Sequence, residues 1–509
     1  MTLVLLAGSG SFGTMAEAAT TTTTSPLFEQ LTSTRLYLAN TKISPRVDNW
    51  PVLDDIATTP QLLSLTTPAA PTNASVWALV PGKLFVVDAG GRTRAVSVSG
   101  GGLPGGGAVR GATCGADSGI LVVASAEEVV VLSCEADEDA AVCKTVQQIA
   151  LPPSSQHGGA AAPAVACTRT GSGILWPWVA PARAGCVYAI ELATGRVIKM
   201  DDAIAHGNVT ALAVSAADAP FRLAVGTEDA VFYGFNATAL TFDHHVDVGD
   251  LVDAPAQALA FNGTDLWVGH EWCLNVIRGD TGWVDRVSGA QGLPAGNITG
   301  LASSGRFLWI GTTMGAARYA PNDRPNDRWR FFGGDRWVPG LGTPVASIVL
   351  GDRGVWVATE GAGIAYIAAT RTAFAAKAAA YLRDDVPRLD RYGWVAAAGL
   401  ARYGDAASAQ PRDGDNDGLW TGMLVAALSF EYAAARDEGV RAAAWRHFRA
   451  VEFLHNVTGG EGFIARTAVR CGEPHQHGDG TICPAGSPIT CGWVNSPSRF
   501  RRALSHIGR

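Results

Sequence analysis

The sequence predicts a mainly β protein: a β-propeller of about seven blades, followed by a smaller α-helical domain. Three observations carry that prediction. A Trp-centred apolar phrase recurs as "LWVGHEWCLNVIRGD" from Leu266, "LWIGTTMGAARYAP" from Leu308 and "VWVATEGAGIAYIA" from Val355. Trp267, Trp309 and Trp356 are spaced by 42 and 47 residues, the period of blades built from short strands. Past residue 370 the apolar spacing becomes helical.

Fainter copies run toward the N-terminus, from Arg222, Ile174, Gly119 and Ser75. Each reads as two short strands with a turn between, marked by β-branched and aromatic residues bounded by Gly, Asp and Asn. Seven copies are thus counted. An eighth phrase, around Leu36, is expected to supply a strand that closes the ring with the last blade and so removes an exposed sheet edge. The 60 Gly suit a chain with many turns. Because the Trp recurs at equivalent positions, packing between blades explains it better than a ligand platform, which needs one copy.

In the helical part, 371–389 places Phe374, Ala378, Tyr381 and Leu382 at helical spacing, and Pro387 is expected to end that helix. "DRYGWVAAAGLARYGD" reads as a loop or short hairpin. A helix over 419–436 sets Leu424, Ala427, Leu428 and Tyr432 on one face, and a second over 438–457 does so with Val440, Ala444, Phe448, Val451 and Leu454. Asp437 is placed to cap the second helix and Gly459-Gly460 to stop it. The expected division is 1–30 signal-like and low-complexity, 31–370 propeller, 371–470 helical, and 471–509 a Cys/Gly-rich tail.

Composition narrows the function. The 509 residues are 47% hydrophobic and 17% charged, with net charge −7. The basic residues cluster only in "RFRR" at Arg499 to Arg502, so nucleic acid is not an expected partner. No run of about 20 apolar residues predicts an integral membrane span. "MTLVLLAGSGSFGTMAEAA" has the apolar run and A-x-A site of a signal peptide but lacks a basic start. Its Gly8, Gly10 and Gly13 match dinucleotide-loop spacing, but a Thr run and Pro26 follow where a helix is needed. Six N-x-[S/T] sequons, at Asn73, Asn208, Asn236, Asn262, Asn297 and Asn456, and nine Cys favour a secreted, disulfide-bearing glycoprotein. The spacings of Cys134/Cys143, Cys167/Cys186 and Cys471/Cys483/Cys491 suit local disulfides; cytosolic thiols are the alternative.

The blade "GLPAGNITGLASSGRFLWIGTTMGAARYAP" (292–321) resembles the two-component-regulator propeller repeat of bacterial ligand-binding sensor domains, which has a "GLP-x-x-x-[IV]-T" lead-in and an "LWIGT-x-x-G" body. The match is specific there and fades upstream. "DNDGLWTGMLVAALSFEYAAA" with "AVEFLHNVTGGEGFIAR" resembles the start of the six-hairpin glycosidase-like α/α-toroid domain, over 375–466. The resemblance implies a partial toroid and a carbohydrate-recognising or carbohydrate-active role. A full toroid needs roughly 200 residues at about 12 per helix plus loops, whereas 509 − 370 leaves 139; a truncated C-terminus is therefore expected.

"RDGDNDGLW" is the densest polar cluster. Asp413, Asp415 and Asp417 with Gly418 match the first half of a calcium loop, but Leu424 stands at loop position twelve, so calcium would bind only at a half-site completed elsewhere. In the toroid resemblance, Asp415 or Asp417 would serve as catalytic acid or base beside Trp420 as a stacking platform, and Arg466 would hold a substrate hydroxyl or carboxylate. Helix capping by Asp417 is the plainer alternative. Glu431 and Glu452 read as solvated face residues. His475, His477 and Asp479 lack zinc-ligand spacing, His244-His245 reads as a surface pair, and neither a G-x-S-x-G elbow nor a P-loop is present. Two functions follow: a secreted propeller binding glycan or an extracellular protein, or a polysaccharide-cleaving enzyme using an acid of the 413–417 cluster.

Overall fold

The computed structural model describes residues 27–38, 52–53, 55–56, 58–64, 75–104, 108–114, 119–136, 141–151, 163–169, 175–181, 185–200, 204, 207–215, 222–252, 255–334, 336–340, 342–351, 353–402, 406–457, 464–469 and 491–493. The propeller residues Leu31–Ala369 form one compact unit, and the helical residues from Thr370 belong to a second.

Short apolar strands pair in sequence order because each follows the last through a tight turn. Seven sheets of four or five strands result, built from antiparallel neighbours, with Val52–Leu53 and Ser97–Ser99 added in parallel at the edges of the two five-stranded ones. Their first strands, Gln61–Ser64, Arg110–Thr113, Ala164–Arg169, Val209–Val214, Ala258–Asn262, Ile298–Ser303 and Val345–Leu350, stand side by side, and the last returns to the first. Ser347 bridges that junction: its hydroxyl accepts from Leu62 N at 3.1 Å and donates to Leu62 O at 3.4 Å. The protein is a seven-bladed β-propeller.

The Leu36 segment closes the ring as expected. Strand Leu27–Leu38 pairs with Gly363–Ala373 and becomes the fourth strand of the last blade. Leu38 N donates to Ala362 O at 2.9 Å. A Cβ on Gly363 would lie 2.0 Å from the Leu36 carbonyl oxygen, so only glycine lets the two strands approach this closely.

No single core fills the propeller. Seven apolar clusters among the described residues lie one between each pair of neighbouring blades. Trp267 packs with Leu308 and Ile310 of the next blade, Trp309 with Val355 and Val357, and Trp356 with Leu62 and Val76 of the first. All three are at most 4% exposed. The recurring Trp is thus an inter-blade packing residue.

Two sequence readings change. Each copy holds four strands, not two; the recognisable phrases are the second and third strands, such as Asp265–Gly269 and Leu274–Ile277. Cys134 pairs with Cys143, but Cys167 pairs with Cys114, 53 residues away, rather than with Cys186. Cys114 follows one blade's first strand and Cys167 lies in the next, so the ring brings them together where sequence distance does not. Cys186 is buried outside any disulfide.

The helical unit holds two long antiparallel helices, Asp417–Ala435 and Glu438–Asn456. The Asp437 side chain accepts from Gly439 N at 2.7 Å and Val440 N at 3.1 Å, capping the second helix as expected. Asp437→Ala is expected to lower the unit's stability by about 1 kcal/mol; an unchanged urea midpoint would show that the helix start does not depend on this cap. Leu454 of the predicted face of the second helix is buried, but the other buried residues, His447 and Ala450, stand one position before Phe448 and Val451, which are half-buried like Val440 and Ala444. On the first, Leu428 is buried but Ala427 is exposed. That helix is apolar all round, and Leu419, Trp420, Met423 and Phe430 remain exposed.

Pro387 does not end the preceding helix. The chain widens into a π-turn at Tyr381–Asp385, where Val386 N donates to Tyr381 O, and continues as Val386–Leu389. Such a widening accommodates the missing proline N–H and ring clash. The following segment forms two small hairpins, Asp390–Arg391 with Trp394–Val395 and Ala397–Leu400 with Ala409–Arg412. One long helical hairpin among the described residues does not amount to a toroid. The signal-like start, Asn73, Gly459-Gly460, His475, His477, Asp479, Cys471 and Cys483 lie outside the described residues.

Candidate functional site

The acidic cluster leads into the first long helix. Asn416 is the N-cap residue and makes no side-chain cap bond; Asp417 follows it as the first helical residue, near the N-cap and in the acid-favouring first turn as the plainer sequence reading expected, but it is not itself the cap. Its carboxyl turns inward and is 1% exposed. Oδ2 accepts from the Thr467 hydroxyl at 2.5 Å. The Arg391 guanidinium stands 3.9 Å from the same oxygen and is itself buried. Arg391 donates from Nη1 and Nη2 to Ala468 O, and from Nη2 to Thr467 Oγ1 at 3.1 Å. Oδ1 of Asp417 is buried and accepts no hydrogen bond among the described residues.

Burial pushes the Asp417 carboxyl up to about 6. The Thr467 hydroxyl, the Arg391 charge and the Gly414 backbone contact oppose that rise, and the neighbouring Asp413 adds to it. Thr421 extends the network, donating to Asp417 O at 2.5 Å and accepting from Val395 N at 2.9 Å. Asp417 therefore ties the helix to two distant strands.

Arg466 does meet the acidic cluster, as a loop clamp. Nε donates to Asp415 O at 2.7 Å, Nη2 to Asn416 Oδ1 at 3.3 Å, and Nη1 stands 3.6 Å from Asp415 Oδ2. Asp413 is buried and Trp420 about half exposed. Among the described residues, no group of three His, Cys, Asp or Glu side chains stands where it could hold a metal ion. Asp413, Asp415 and Asp417 form no such group of three. A cleft of about 710 Å³ opens in this unit against Leu382, Val386, Asp390, Leu428, Arg446 and His447. None of Asp413, Asp415, Asp417, Trp420 and Arg466 lines it.

A second constellation lies on the propeller, where the turn after each second strand repeats. In four blades a buried Ser or Thr begins that turn: Ser125, Thr227, Thr312 and Thr359. Thr227 Oγ1 donates to Ala230 O at 3.0 Å and Thr312 Oγ1 to Gly315 O at 2.9 Å, closing the turn. Blade five breaks the pattern with His270-Glu271-Trp272-Cys273. His270 is fully buried and its Nδ1 lies 3.2 Å from Pro255 O. Cys273 is buried, and burial pushes its thiol up to about 11. Between them Glu271 is exposed and Trp272 projects, 53% exposed. Ile298 N donates to His270 O and Thr313 N to Asn297 O, both at 3.0 Å, so this turn adjoins that of blade six with exposed Met314. Aligning the "LWVGHEW" and "LWIGTTM" phrases would have exposed His270 in the Thr column. Arg391 and Thr467 carry no local signal.

The fold defines a seven-bladed β-propeller protein. No protein-family model matches the chain, and no curated protein matches it. Among solved structures, it resembles a catalytically inactive variant of virginiamycin B lyase from Staphylococcus aureus with quinupristin. That likeness has 12% identity, covers 67% of this chain and 99% of the other, and has a TM-score of 0.44. It also resembles the extracellular domain of a putative one-component system from B. thetaiotaomicron, at 15% identity over 61% of this chain and 38% of that one, with a TM-score of 0.42. A putative hybrid two-component system's extracellular domain from the same organism follows at 13% identity, 61% and 40% coverage and a TM-score of 0.40. The chain thus spans well under half of those two sensor chains, and no activity or ligand is carried over from any of the three.

Proposed function

We propose that this is a secreted ligand-binding propeller protein and that its ligand is a glycan. One observation carries the reading: where four blades place a buried Ser or Thr at the turn after the second strand, blade five has a turn that projects a tryptophan next to a carboxylate residue. Residues that recur from blade to blade serve the ring; a Glu also follows the turn residue as Glu228 and Glu360, but Trp272 has no counterpart in those turns and is not needed for the ring. An exposed indole offers a flat apolar face for the C–H side of a sugar ring, and the adjacent carboxylate accepts hydrogen bonds from hydroxyls. Two disulfides support an oxidising compartment. Among the described residues no helix is long and apolar enough to cross a membrane.

Hydrolysis is the second reading, favoured by the Asp417 carboxyl near 6, a range suited to a general acid. A general acid must touch the glycosidic oxygen, and Asp417 is enclosed with Oδ2 committed to Thr467. Binding is the better-supported role.

The test is a glycan array probed with the secreted full chain, with calcium and with chelator, and with products checked by mass spectrometry. Trp272→Ala is expected to weaken binding at least about tenfold, which corresponds to about 1.4 kcal/mol. A wild-type protein that binds no glycan would rule out the glycan reading and leave a protein ligand.

A further inference from the structure

We propose that Asn236 carries an N-linked glycan, a modification that rests on the secreted reading above. Asn236 closes the third strand of blade four, Ala230–Asn236, and the fourth strand begins at Thr241. Antiparallel blades place this turn on the face opposite the Glu271-Trp272 turn, because successive turns alternate between faces. Asn236 Oδ1 accepts from Thr238 N at 3.0 Å and Ala239 N at 3.1 Å. The same residue's carbonyl accepts from Leu240 N at 2.8 Å. Residues 236–239 are all exposed. With the amide oxygen holding the turn, Nδ2, the atom that takes the sugar, is left on the solvent side.

The chemistry suits this geometry. Nδ2 forms a bond to the anomeric carbon of an oligosaccharide carried on a lipid diphosphate. The anomeric C–O bond breaks, the diphosphate leaves with the electron pair, and one Nδ2 proton passes to the transferring enzyme's base. The product is still an amide, so Oδ1 keeps both turn hydrogen bonds. Three other sequons, at Asn208, Asn262 and Asn297, are less open. Asn208 Nδ2 donates to Glu228 Oε2 at 3.0 Å, so a glycan there would break a bond, and Thr210 Oγ1 is committed to Ala256 O at 2.5 Å. The Thr299 hydroxyl beyond Asn297 is buried, and Asn262 is half-buried.

The full chain is expressed through a eukaryotic secretory pathway. Its glycans are removed with a peptide N-glycosidase in heavy-oxygen water, and each Asn is read by peptide fragmentation. Labelled Asn236 is expected, with Asn208 unlabelled. Thr238→Ala should abolish the label while leaving the unfolding midpoint unchanged, since the Thr238 backbone N–H remains. Unlabelled Asn236 in secreted protein that is labelled at another sequon overturns this proposal and leaves the secreted reading intact. Protein retained in the cell with every sequon unlabelled overturns both.

Discussion

Leu36→Asp is expected to unfold the propeller. Leu36 is 0% exposed and packs with Leu38, Leu62, Val76, Trp356 and Ile364, side chains drawn from the first and last blades. Truncating such a residue to Ala costs about 2–5 kcal/mol. An aspartate adds the several kcal/mol of burying an unpaired charge, and the sum rivals the 5–15 kcal/mol that stabilises a typical domain. The location enlarges the effect. Each blade touches only its neighbours, so a broken closure turns the ring into an open stack with two bare edges. The variant should run as aggregate on size exclusion and show no cooperative urea transition, while Leu36→Ala should remain folded with a lower midpoint. A monomeric Leu36→Asp protein with the wild-type midpoint would show that this strand does not hold the ring.

How far the sequence discloses this fold depends on which strand is considered. Second and third strands are buried on both faces, so Leu308–Thr312 and Gly354–Thr359 read as continuous apolar runs with a central Trp. The fourth strand of blade four faces solvent. Thr241–Asp247, "TFDHHVD", has little buried surface and carries no apolar pattern. The helical hairpin was legible because periodicity and the Asp437 cap are local signals. The Asp417 site was half legible. The acids and Arg466 stand out by chemistry, but Arg391 lies 26 residues before Asp417 and Thr467 lies 50 after it, so only the folded chain joins them. The Cys114–Cys167 link was hidden for the same reason.

Asp417→Asn is expected to flatten the pH dependence of the helical unit's stability. The Asp417 carboxyl titrates near 6 when folded and near its ordinary value of 3.8 when unfolded. Between those values the folded state holds more protons than the unfolded state, so stability falls as pH rises. The contribution is fully present below about 3.8, is lost as pH passes through about 6, and is constant above that. A shift of this size corresponds to about 3 kcal/mol, because burial strips water from the carboxyl and disfavours its ionised form. Asparagine has no proton to lose in this range. It retains an amide oxygen to accept from Thr467, so the helix-to-strand tie should survive. Urea midpoints measured at pH 4, 5, 6 and 7 should decline for wild type and stay level for Asp417→Asn, once slopes from other groups are subtracted using the variant itself. Equal slopes in the two proteins would show that Asp417 keeps its ordinary acidity and that its burial is relieved by solvent. The declining wild-type profile would instead confirm an enclosed acid held by Arg391 and Thr467, which is the property that separates a structural carboxyl from one open to a sugar.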